Sequence, residues 1–74
     1  MLTDEQIDQE IQMLLAAEFG TIGEGRSPGD FWDLRTQEYN QHISSLSLQG
    51  NTEEAEALVP IYDFCEQKLK EFQP

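Results

Sequence analysis

The chain has 74 residues and a formal net charge of −11, from 15 Asp plus Glu against 4 Lys plus Arg. That length admits a single domain, 1–74, and 38% hydrophobic residues, seven aromatics among them, suffice for one small core. With only Arg26, Arg35, Lys68 and Lys70 to displace counterions, direct grip on a nucleic-acid backbone is excluded, and anionic membrane surfaces are disfavoured for the same reason.

The first element reads as a helix over 3–19. Thr3 with Gln6 forms a capping box, Leu2 with Ile7 supplies the hydrophobic staple, and Asp4 and Glu5 favour the positive end of the helix dipole. Ile7, Ile11, Leu14, Leu15 and Ala17 then fall at helical spacing, with Phe19 near the end and Gly20 as the expected stop. A glycine-rich loop over 20–27 follows, with Ile22 expected to tuck beneath it. It lacks the Lys-Ser/Thr ending of a phosphate-binding loop, and Glu24 opposes a phosphate, so it reads as a connector.

A helical hairpin is predicted over 28–72. Ser27 caps its first arm, Pro28 takes the first helical position, and Phe31, Trp32, Leu34, Tyr39, Ile43, Leu46 and Leu48 supply apolar side chains. The short Gln49-Gly50-Asn51 link makes the second arm, 52–72, run antiparallel to the first. Asn51 with Glu54 predicts a second capping box. Leu58, Tyr62, Cys65, Leu69 and Phe72 alternate spacings of four and three, the register of helix-on-helix packing, and Pro60 predicts a kink or a restart. The turn and the residues after it, Glu54-Ala55, Leu58 and Tyr62, loosely resemble a tetratricopeptide-type hairpin, but one unit without an internal period is not a repeat protein. The fold class that follows is all-α, a small three-helix bundle in which an acidic N-terminal helix packs on a helical hairpin. Ile11, Leu14, Leu15, Tyr39, Ile43, Leu46, Leu58, Tyr62, Cys65 and Leu69 are its expected core.

Little in the chain carries chemistry. His42, the only histidine, has Glu38 four residues before it, but helical metal sites need paired Glu-x-x-His motifs and further carboxylates. Cys65 lies on the predicted seam, where a thiol is buried and inert. Acid–base catalysis needs two carboxyls held in a cleft, and a chain this short leaves little room for one. The expectation is therefore no enzyme, no cofactor and no metal. One cysteine, no 18-residue apolar run and no basic-then-apolar leader at Met1-Leu2-Thr3 point to the cytoplasm, the host's if the chain is virus-encoded.

Two features remain. Residues 1–24 hold Asp4, Glu5, Asp8, Glu10, Glu18 and Glu24 and no basic residue. Phe31 and Trp32 are adjacent, about 100° apart on a helix, so a narrow seam does not take both equally. Together they suggest a protein-interaction module (an adaptor, assembly factor or inhibitor) that meets a basic protein surface through Asp4, Glu5, Asp8 and Glu10, with Phe31 or Trp32 as anchor. An inhibitor that mimics DNA and a homo-oligomeric structural part, paired through the seam of the last helix, are the competing readings. The purified chain should show no gel shift with DNA or RNA, and affinity tighter than about 10⁻⁶ M would contradict that expectation.

Overall fold

The computed structural model describes residues 2–72 and consists of α1 (Asp4–Gly23), α2 (Pro28–Leu48) and α3 (Thr52–Glu71). The start of α1 follows from its capping box. The Thr3 Oγ1 accepts from the Gln6 backbone N–H at 3.2 Å, and the Gln6 side chain accepts from the Thr3 N–H at 2.9 Å. Two donors that the helix leaves over are thereby satisfied. At α2 the Ser27 hydroxyl accepts from the Asp30 N–H at 3.4 Å, with Pro28 in the first turn. The start of α3 differs from expectation. Asn51 makes no side-chain cap hydrogen bond, so the Asn51/Glu54 box does not form. Its backbone carbonyl still accepts from Ala55 at 3.0 Å and opens the helix without help from the side chain.

Gly20 does not stop α1. The helix runs one more turn to Gly23, and the loop shrinks to the residues between Gly23 and Pro28. The left-handed residue that ends it is Gly25, at φ +78°. Around it the Gly25 N–H donates to the Ile22 carbonyl and the Arg26 N–H to the Thr21 carbonyl, each at 3.0 Å. This is the Schellman arrangement, which satisfies carbonyls that the helix end would otherwise strand. The same device ends α2, where Gly50 has φ +83° and the Asn51 N–H donates to the Leu46 carbonyl at 2.8 Å. Of the four glycines in the first connection, the one that completes this bonding sets the boundary. The extension also lifts Ile22 out of its expected place beneath the loop and leaves it 51% exposed on the helix.

Packing follows the hairpin. α2 and α3 share the largest interface, and α1 lies on both through smaller ones. The buried cluster is Leu14 from α1, Trp32 from α2, and Leu58, Ile61 and Cys65 from α3. Ile11, Leu15, Tyr39, Ile43, Leu46, Tyr62 and Leu69, expected in the innermost layer, are half-buried around it. On α3 the buried line is Ala55, Leu58, Ile61 and Cys65. Ile61 is buried because a helix that meets two neighbours buries a wider arc than a two-helix seam, while Tyr62 is only half-buried. Phe72, at the cap of α3, is 44% exposed. Pro60 neither ends nor restarts the helix, which continues unbroken from Thr52 to Glu71. The ring is exposed, on the side away from the buried line, where the carbonyl deprived of its N–H partner is open to water.

Because α1 runs past Gly20, filling that position has a defined effect. A Cβ there meets nothing within 4 Å, and the residue is helical. Gly20→Ala should stabilise the fold by about 0.5–1 kcal/mol, as a helix-interior replacement does. A loss of stability in urea unfolding would mean that Gly20 is the stop after all.

Candidate functional site

The carboxylates of α1 divide into two sets. Glu18 and Glu10 turn inward to α2, where Glu18 accepts from the Trp32 indole Nε1–H and Glu10 accepts from the Tyr39 hydroxyl at 3.0 Å. Among the described residues, these are the side-chain hydrogen bonds that join one helix to another. Asp4, Glu5 and Asp8 are exposed. No cation reaches them among the described residues, because each Lys or Arg is engaged locally. Arg26 pairs with Glu24 at 3.4 Å, Arg35 with Glu38 at 2.8 Å, Lys68 with Glu71 at 3.4 Å and Lys70 with Glu66 at 3.7 Å. Such exposed pairs are each worth about 0–1 kcal/mol, so their main effect is on where charge is left over. It is left over on exposed carboxylates of all three helices, at Asp4, Glu5 and Asp8 in α1, Asp30 and Asp33 in α2, and Glu53, Glu54, Glu56 and Asp63 in α3. Of the three helices, α1 alone has no basic residue, and it opens with an acidic turn.

Beside that acidic turn the three helices leave a cleft of about 620 Å³. Leu2, Leu46, Leu58 and Ile61 give it apolar lining, while Glu10, Glu38 and Glu54 bring one carboxylate from each helix. His42 and Tyr39 also line it, and no Lys or Arg does. The Tyr39 phenol is pushed well above its usual range, first by burial and then by the Glu10 carboxylate that it bonds. His42 is exposed, and no group of three His, Cys, Asp or Glu among the described residues is arranged to hold a metal ion. No helix is long and apolar enough to cross a membrane.

The aromatic pair separates as its spacing implies. Trp32 is fully enclosed, set edge-on to Phe31 with ring centroids 4.9 Å apart and to Phe64 at 5.8 Å. A ring with no accessible surface does not anchor a partner, so Trp32 passes from the candidate site to the core. Its indole N–H needs a buried acceptor, and Glu18 supplies one. Phe31 is half-buried, and the Arg35 guanidinium lies over its ring at 5.3 Å. Of the six candidate binding residues, Asp4, Glu5 and Asp8 face solvent, Glu10 is partly spent on Tyr39, Phe31 lies at the edge of the core, and Trp32 is within it.

Sequence reasoning missed the outer apolar residues of α1. Phe19 is 81% exposed and shares a face with Ile22. The signal was present as a four-then-three spacing, Leu15-Phe19-Ile22, but an early helix stop at Gly20 hid it. Comparison with protein-family models, curated proteins and solved structures finds nothing that matches this chain.

Two measurements check this assignment. Trp32→Ala should cost about 3–5 kcal/mol, a large share of the roughly 4–11 kcal/mol typical for a domain of this size. A variant as stable as the parent would return Trp32 to the surface. Burial also pushes the Cys65 thiol up from 9 to about 11, with Arg35 pulling it the other way. A thiol and a phenol with raised values in the fold contribute stability that is complete below their unfolded values. Stability should therefore fall as pH rises above about 9, at about 1.4 kcal/mol per pH unit while only the unfolded thiol titrates. Cys65→Ala should flatten the first part of that decline in pH-dependent urea unfolding.

Proposed function

We propose that this chain is a small acidic helical module that binds a basic protein surface, with the exposed first turns of α1 as its electrostatic contact. The observation that carries the reading is the segregation of charge. α1 holds no Lys or Arg, whereas α2 carries Arg35 and α3 carries Lys68 and Lys70 in local pairs, and on α1 Asp4, Glu5 and Asp8 face solvent without a cation among the described residues. Net negative charge by itself serves solubility, but its concentration on one helix without a basic residue also steers an oppositely charged partner and speeds its arrival. The apolar and acidic cleft beside it gives the same kind of partner a place to bury aliphatic stems.

Mimicry of DNA is less well supported. α1 has 20 residues and five carboxylates, so it offers one charge per about 6 Å of axis, where duplex DNA offers one per about 1.7 Å. Two of those five, Glu10 and Glu18, are turned inward to Tyr39 and Trp32.

The test is affinity capture with the intact chain, repeated with the triple variant D4K/E5K/D8K after its helicity is checked. The parent should retain a basic protein at about 50 mM salt and release much of it near 1 M, where screening shrinks to about 3 Å. The triple variant should fail to retain it. Equal retention by the variant at low salt would contradict the proposal, and release of the partner by duplex DNA at equal charge concentration would favour mimicry.

A further inference from the structure

The outer flank of α1 extends the proposed contact from a charge to a shape. At 100° per residue, Asp4, Asp8, Ile11, Leu15, Phe19 and Ile22 fall within one narrow stripe, at successive spacings of four, three, four, four and three. The stripe begins beside the buried face, where Ile11 and Leu15 are half-buried, and runs outward to Phe19 and Ile22, which are 81% and 51% exposed. Single exposed apolar residues need no explanation, but a Phe and an Ile sharing a face that continues from the core mark an unpartnered surface. One end of the stripe is acidic, the other apolar.

We infer that this stripe is the seat of a basic amphipathic helix, apolar against Leu15, Phe19 and Ile22 and cationic against Asp4 and Asp8. The inference rests on the proposed binding of a basic protein and names the element of that partner that docks. Charge decides among the occupants. A second copy set parallel would bring Asp4 and Asp8 against their own counterparts. Set antiparallel, it would bury those carboxylates against Phe19 and Ile22, which is costly for an unpaired charge. An anionic lipid surface is repelled by the same residues. A helix with Lys or Arg at one end and Leu-like side chains at the other meets both halves. The stripe spans 18 helical steps from Asp4 to Ile22, about 27 Å, so the matching helix is about five turns long. Phe19 thus takes the anchoring role that Trp32, being buried, does not fill.

The experiment uses two synthetic helical peptides of about 18 residues and equal composition. One carries three leucines at helical spacing in one half and lysines in the other; the second has the same residues interleaved. Fluorescence anisotropy should show the segregated peptide binding the intact chain at least about tenfold more tightly than the interleaved one. Phe19→Ser and Ile22→Ser, at exposed positions that should leave the fold intact, should each remove most of that preference, about tenfold or more for Phe19 as an aromatic hot spot. Binding that the serine variants leave unchanged but D4K/D8K abolishes would overturn the docked helix and leave the basic-partner reading standing. Binding unaffected by D4K/D8K at low salt would count against that reading as well. Dimerisation of the parent at micromolar concentration, lost in Phe19→Ser by sedimentation equilibrium, would overturn the inference in favour of a second copy.

Discussion

The bundle depends on how one indole is buried. Trp32 brings the largest apolar surface in the chain into the centre, and with it an N–H that has no water to bond. Glu18 resolves this by reaching in from α1, and the carboxylate makes the bond a charge-assisted one. The same contact holds α1 on the hairpin, with Leu14 buried beneath it and the Glu10–Tyr39 bond farther along the same pair of helices. Because α1 shares only small interfaces with α2 and α3, these two bonds fix its register more than its area does. α1 therefore presents a set outer face: with Glu10 and Glu18 turned inward, Asp4, Asp8, Phe19 and Ile22 are exposed.

How much of this was legible in the sequence depended on the range of the signals. The caps at Thr3 and Ser27 are local hydrogen-bonding patterns, and both formed where the residues placed them. The extent of α2 and the antiparallel hairpin were likewise readable from Pro28 and the short link through Gly50. The end of α1 was not, because Gly20, Gly23 and Gly25 each permit a left-handed residue. Which one adopts it is decided by the bonds that close around Gly25. The inner residues of α3 were shifted for a related reason. Periodicity located the apolar side, but Ile61 rather than Tyr62 turned fully inward once two helices had to be met.

In the candidate site, charge was legible in the sequence, and the choice of aromatic was not. An excess of acid over base is visible by counting, and so is its concentration in residues 1–24. Which carboxylates point outward is a tertiary matter, set by the acceptors that Trp32 and Tyr39 need. The choice between Phe31 and Trp32 was open because neighbouring positions on a helix differ by direction alone. Trp32 is surrounded by Phe31 and Phe64 and takes no part in the surface, while the exposed aromatic on α1 is Phe19, in a segment that reads as the end of a helix rather than its interior.

If the indole is spent on the fold, the surface must bind by other means, and that claim has a direct optical test. Trp32 is the only tryptophan in the chain, so its emission reports one site. Native emission should lie to the blue of free tryptophan and be shielded from acrylamide, with both properties lost together on unfolding in urea. Emission at the wavelength of free tryptophan in the native protein, quenched as readily as the free amino acid, would contradict the claim.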